Sequence, residues 1–262
     1  MSFASVTELP GNGAHCEQID AMRTRYEWAA EMCRGKDVVE IACGAGIGLG
    51  ILARHAKSVI GGDLDSKVLA YGLEHYKDRN IRLMELDACK MELEDDSVDV
   101  AICFEATYYF PSLAVFMREV RRILRPGGLF VLSSVNSRWH GFNPSPYSNQ
   151  YHSAGEMREE LEEAGFGGDF FACFEDDPAT WKRRVIGMVR RIAVALRLVP
   201  QTMKGKEFFK KLFYGKLEPL PYELSEAHGT RRELKPFGTG LKPENHKFFY
   251  FVAKRKGDGP KR

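Results

Sequence analysis

The chain has 262 residues, 44% of them hydrophobic and 28% charged, with a formal net charge of +2. That composition excludes a disordered, collagen-like or disulfide-dense chain, and no run approaches the ~20 consecutive apolar residues of a membrane-spanning helix. Residues 1–13 show no secretory leader, and the six cysteines, none in a CxxC pair, read as reduced core thiols, so a cytoplasmic protein without a metal site is expected. The charge is unevenly placed. Residues 182–216 hold eleven Lys or Arg against one acid, a local +10 that leaves −8 for the rest.

In chain order, His15–Met32 has helical character and Val38–Ile41 reads as a strand running into Gly44-x-Gly46-x-Gly48. Helical periodicity follows over Leu49–His55, Ser66–Tyr76 and Leu113–Leu124, alternating with β-branched runs at Ser58–Gly61, Ile81–Leu86, Val98–Phe104 and Leu129–Ser133. Pro126-Gly127-Gly128 breaks the chain before the last of these. Ser153-Ala-Gly-Glu156 is a capping box that opens a helix over Ser153–Ala164, and Gly165 ends it. Phe170–Phe174 and Lys247–Ala253 read as two further strands. Strands alternating with helices predict an α/β fold, a doubly wound and mostly parallel sheet covered on both faces. The domain assigned on this basis comprises 1–174 and 246–254. Residues 175–245 form a basic, partly helical insertion, and 255–262 a polar tail.

The glycine loop is the most informative stretch. Glycine there lets the backbone turn sharply and approach a ligand, with free N–H groups at a helix start. The position that a dinucleotide fingerprint requires as glycine is Leu49, and the P-loop lysine and hydroxyl are absent. Asp63 ends the next strand beside the loop, where a carboxylate can accept both hydroxyls of a ribose. Asp87-Ala88 repeats that placement one strand on. Each alone has a plainer reading, a tight turn or a helix N-cap; their order and spacing favour a nucleoside site.

Glu40-x-Ala-Cys-Gly-x-Gly-x-Gly48, Asp63, Asp87-Ala88, Asp99 and Leu124-Arg-Pro-Gly-Gly128 together resemble the class I S-adenosylmethionine-dependent methyltransferases over roughly residues 35–170. The resemblance implies a seven-stranded sheet with an antiparallel last strand, and S-adenosylmethionine as cofactor with S-adenosylhomocysteine as product. It implies that Gly44 and Gly46 pack on the methionine end and that Glu40 holds the ammonium through a water. Asp63 would bind the ribose, Leu64 cover one adenine face, and Asp87 and Ala88 read the adenine edge. Asp99 and Arg125–Gly128 would be scaffold. Ala42 departs from the family, in which many members have glycine at that position.

A hydroxyl acceptor benefits from a general base. His152 and His140 rank first for that role, with Glu105, Tyr108, Tyr109 and Tyr147 as further residues of the acceptor pocket. Asn143-Pro-Ser-Pro-Tyr147 lacks the spacing and position of the nucleic-acid amino-methyltransferase motif, and no nucleic-acid partner is expected. Over 181–199 arginines gather opposite Trp181 and aliphatic residues, and 204–216 adds aromatic residues among further basic ones, which fits a cap over the domain, a surface docking on the anionic inner face of a membrane, or a site for an anionic soluble substrate. The tract 143–166 also resembles methyltransferases of bacterial polysaccharide and lipid-linked sugar assembly. A small-molecule or glycan hydroxyl, lipid-linked or free, is the expected acceptor. A natural-product methyltransferase and a non-catalytic cofactor-binding partner protein are the alternatives.

Overall fold

The computed structural model describes residues 4, 6–77, 79–139, 142–145, 147–175, 216–237 and 243–257. A two-residue strand β1 (Gly13–Ala14) precedes helix α1 (Cys16–Met32), whose N-cap is His15, its Nδ1 accepting from the Gln18 N–H at 3.2 Å. Then follow β2 (Asp37–Ile41), α2 (Leu49–Ala53), β3 (Ser58–Asp63), α3 (Ser66–Tyr76), β4 (Ile81–Glu85) and β5 (Val98–Phe104). Helix α4 (Leu113–Ile123) leads into β6 (Leu124–Val135), and α5 (Ala154–Glu163) into β7 (Phe166–Glu175). Two short strands, β8 (Glu218–Pro219) and β9 (Lys235–Pro236), precede β10 (His246–Arg255).

The main sheet runs β4-β3-β2-β5-β6-β10-β7-β9. The pairs from β4 to β6 are parallel, and β10 lies antiparallel between β6 and β7. The expected seven strands are therefore present, and β9 adds a two-residue edge against β7. Successive strand residues face opposite sides. Val38, Val100 and Ile102 pack against α1, α2 and α3, while Val39, Ala101 and Cys103 pack against α4 and α5. Phe116, Phe130, Phe166, Phe249 and Phe251 are among the largest fully buried side chains, each worth about 1.5–3 kcal/mol of transfer free energy.

Local chemistry explains the boundaries. Ser153 and Glu156 exchange both bonds of the capping box, and Gly165 sits at φ +80° just past α5. The turn expected at Pro126-Gly127-Gly128 is instead a bulge inside β6: Val98 pairs with Leu124 and Val100 with Leu129, so Arg125–Gly128 loop out. Arg125 in that bulge binds Asp99 at 2.8 Å and Asp37 at 3.1 Å, tying together the amino ends of β2 and β5.

Residues 216–237, within the expected insertion, lie against this frame. Leu220 and Leu224 are buried in the α1–α3 core. Asp20 of α1 accepts from the Thr230 N–H at 2.6 Å and from Arg232 Nη2 at 2.6 Å. Residues 176–215, and with them nearly all of the basic stretch, lie outside the described residues. Among the described residues no helix is long and apolar enough to cross a membrane. Four of the six cysteines are buried as free thiols, with Cys89 intermediate and Cys16 exposed.

Candidate active site

Strand order reverses between β2 and β5, and the crevice outside the carboxyl ends of strands at such a point is where doubly wound sheets bind ligands. A cavity of about 440 Å³ opens there. Its wall draws on the ends of β2 through β6, on α1, and on a strap at Val6–Glu8. The strap is pinned at several points. Glu8 accepts from Gln18 Nε2 and Arg25 Nη2, both at 2.9 Å, and Gly13–Ala14 pair with Glu218–Pro219.

The glycine loop lines one end. Ala42, Gly44 and Gly46 all adopt positive φ, at 58°, 60° and 74°, a region that costs an L side chain roughly 1–2 kcal/mol. Asp63 locks the loop to the end of β3: Oδ2 accepts the Gly44 N–H at 2.8 Å and Oδ1 the Asp65 N–H at 2.9 Å. Burial raises its pKa against the pull of those amides. A carboxylate has about four acceptor positions, so two amide bonds leave capacity for a ligand. Gly48 and Gly50 serve packing. A Cβ at Gly48 would lie 2.1 Å from the Tyr26 ring, and one at Gly50 would lie 1.9 Å from Glu223 Oε1.

Glu40 is 1% exposed. Tyr26 Oη donates to its Oε1 at 2.6 Å, while Oε2 has no hydrogen-bond partner. Burial pushes its pKa up to about 7, with Asp63 adding to the effect and Tyr26 and Arg25 opposing it. Glu105 follows β5 at φ +54° and accepts from Ser133 Oγ at 3.0 Å. Burial pushes its carboxyl up to about 7 as well, against Arg25 and Ser133. Strained backbone of this kind persists where the surroundings over-determine it, and it clusters at functional sites.

The residues expected from sequence are brought together to different degrees. Glu40, Gly44, Asp63, Leu64, Asp87 and Ala88 all line the cavity, as do Glu105, Tyr108 and Tyr109. Gly46 sits behind the loop, its carbonyl accepting from Tyr76 Oη at 3.0 Å. His152 and Tyr147 are not among the lining residues: His152 precedes the α5 cap near Glu156, and Tyr147 is 40% exposed. His140 lies outside the described residues. Arg25, Glu8 and the strap had no sequence signal beyond an ordinary helix and a short polar lead, yet they form one wall.

Residues 39–132 match the family model described as a methyltransferase domain. A probable S-adenosylmethionine-dependent methyltransferase of Mycolicibacterium smegmatis is 36% identical over 147 residues, covering 54% of this chain and 56% of that protein. The fatty-acid O-methyltransferase of the same organism is 31% identical over 107 residues, 40% of this chain and 39% of that one. The chain thus spans about half or less of the length of these curated relatives. The solved S-adenosylmethionine-dependent methyltransferase of Mesorhizobium loti superposes with a TM-score of 0.55 at 18% identity, covering 89% of this chain and all of that one, a likeness of fold.

The cavity suits the cofactor of that family. S-Adenosylmethionine carries an ammonium, and Glu40 offers a buried carboxylate oxygen without a donor. Side chains are kept off the loop at Gly44, where a Cβ would already meet Thr7 at 3.0 Å. The match at 39–132, these relatives and the likeness of fold together support a class I S-adenosylmethionine-dependent methyltransferase.

Proposed function

We propose that the protein methylates a hydroxyl oxygen of a small-molecule or lipid-linked acceptor, with Glu105 as the general base. The observation that supports this reading most is Glu105 itself, a half-buried residue beside the glycine loop in the same cavity, its strained backbone at φ +54° and its carboxyl held by Ser133, with a pKa raised to about 7. A base works best when its pKa lies near the operating pH. When bound, S-adenosylmethionine supplies a sulfonium methyl, the C–S bond breaking as the C–O bond forms and the electron pair leaving on sulfur. Glu105 takes the hydroxyl proton, and Ser133 Oγ orients its carboxylate through the 3.0 Å bond. Glu40 would face the ammonium, Asp63 the ribose hydroxyls, Leu64 an adenine face, and Asp87 with Ala88 the adenine edge. Positioning of donor and acceptor supplies most of the remaining acceleration.

Phe104, Tyr108, Phe110, Trp139 and Phe248 in the cavity wall favour an acceptor with an apolar body over a bare glycan. The relative named fatty-acid O-methyltransferase suggests a second reading, a carboxylate acceptor. Glu105→Gln separates the two. For a hydroxyl acceptor, kcat falls by about 10²–10⁴ with S-adenosylhomocysteine binding retained; a carboxylate is already ionised, and kcat is unchanged. Stabilisation by S-adenosylhomocysteine but not by NAD in a thermal shift checks the cofactor. Docking on anionic membrane through 181–216 is tested by cosedimentation with anionic vesicles at low and high salt, and absence of binding at low salt removes it.

A further inference from the structure

The cavity has a polar rim that the methyl transfer proposed above leaves unused. Glu105 marks the reacting end, its N–H donating to the Ser133 carbonyl at 3.0 Å and its carboxylate accepting from Ser133 Oγ. From there the chain of β6 continues past Val135, which pairs with Phe248, to Asn136, whose N–H donates to the Lys247 carbonyl at 2.7 Å. Three residues of extended chain from Ser133 to Asn136 span about 10 Å. Val135, Phe248, Lys247 and Trp139 all line the cavity, as do Glu17 and Gln18 from the start of α1. Lys247 Nζ pairs with Glu17 and lies 4.8 Å from the centre of the Trp139 ring. The Lys247 side chain is 16% exposed and that of Glu17 41%, which places the pair at the edge of solvent, where an ion pair stabilises a fold little. One carboxylate and one ring face leave the ammonium with N–H donors to spare, and the Glu17 carboxylate keeps acceptor positions. Beside it, Gln18 Nε2 donates to Glu8 at 2.9 Å, leaving the amide oxygen to accept.

We propose that Lys247, Glu17, Gln18 and Trp139 bind an uncharged, polyhydroxylated head group, a sugar ring, carried by the acceptor about 10 Å from the hydroxyl that Glu105 deprotonates. This rests on the acceptor reading of the cavity. A hydroxyl both donates and accepts, so neighbouring hydroxyls of one ring accept from Lys247 and donate to Glu17 or Gln18 while the ion pair stays intact. The C–H groups of the same ring suit the indole. An anionic head group would satisfy Lys247 but meet the carboxylates of Glu17 and Glu8, and a cationic one would satisfy Glu17 but meet Lys247. The aromatic wall takes the apolar body, so the acceptor is an amphiphile with its sugar at the rim.

The test is calorimetric titration of the protein, with and without S-adenosylhomocysteine, by octyl β-glucoside, 1-octanol, octanoate and octyltrimethylammonium, which share one apolar chain and differ in head group. Wild type is expected to bind the glucoside about tenfold or more tightly than the other three, the worth of one or two hydrogen bonds. Lys247→Met is expected to bring the glucoside and octanol within about threefold of each other, with the affinity for S-adenosylhomocysteine unchanged. Glu17→Gln keeps the size and removes the countercharge. It is expected to shift the preference to octanoate, because Lys247 is then unpaired; a merely structural ion pair gives no such shift, and this variant serves if the methionine one does not fold. A wild type that favours octanoate or octyltrimethylammonium makes the head group charged and overturns the assignment. Equal binding of all four, binding of none, or a glucoside preference that survives in folded Lys247→Met also overturns it. The titration with S-adenosylhomocysteine alone tests the cofactor reading separately. Because the head-group readout is binding and not methyl transfer, a failure of Glu105 as base is distinct from a failure of the rim.

Discussion

Ala42 holds a left-handed conformation that favours glycine, directly after the strand that delivers Glu40. Ala42→Gly relieves about 1–2 kcal/mol of strain against an added unfolded-chain entropy that costs roughly 0.4–1 kcal/mol. The expected net gain of about 0.5–1 kcal/mol would show as a small rise in Tm with the cofactor Kd unchanged. Glu40 behaves in the opposite way, because burial opposes its charge in the ligand-free fold and, on the proposed reading, that charge serves a ligand. Glu40→Gln is expected to raise the Tm of the ligand-free protein at pH 8 and to leave it unchanged at pH 5, where the acid is already neutral. The same change weakens S-adenosylhomocysteine by about tenfold or more, the worth of a charged hydrogen bond. That Glu40, Asp63 and Asp87 would come together at one cavity was legible in sequence, because each stands in an ordered motif at a strand end. The candidate base was harder to rank. Histidine is favoured on its ordinary pKa, whereas Glu105 reaches about 7 through burial that only the packed β5–β6 end reveals.

Among the elements, the strands and the longer helices were readable because each keeps one period over several residues. The two-residue pairings β1–β8 and β7–β9 have no period to read, and the β6 bulge looks in sequence like a break between two elements. Segment 216–237 was likewise hidden, since what holds it is a set of contacts from α1 some 200 residues earlier in the chain. Arg23 Nη1 donates to the Glu226 and Gly229 carbonyls at 2.7 and 2.8 Å, and Asp20 holds Thr230 and Arg232. Asp20→Ala leaves the Thr230 amide without its acceptor and is expected to destabilise by about 1–3 kcal/mol. Hydrogen exchange would show the loss of protection concentrated at 226–235, with β2 and β5 unaffected.

For the whole molecule, the two raised carboxyls set a direction with pH. Glu40 and Glu105 are held above their ordinary value of 4.5, near 7, so their contribution to stability is full below 4.5 and is lost as pH rises through 7. The denaturation midpoint of the ligand-free protein should therefore fall between pH 5 and pH 8. An ammonium facing Glu40 favours its ionised form, so the extra stability conferred by S-adenosylhomocysteine should grow over the same interval. Denaturant titrations across that range, with and without ligand, check both trends, and Glu40→Gln with Glu105→Gln should flatten the first.

The register that pairs His246 with Glu175 brings together two residues separated by 70 others. Antiparallel neighbours need only a two-residue turn, whereas the connection here is far longer. Closure entropy rises only with the logarithm of length, and 70 residues in place of two add about 3 kcal/mol. That is modest beside the burial of Leu220 and Leu224 and the ties to α1. The junction between β7 and β10 is thus a place where chain length can vary at small thermodynamic expense without disturbing the sheet. A circular permutant of this chain opened between 176 and 215, with residues 1 and 262 joined by a flexible linker, should keep the fold and the nucleoside cavity.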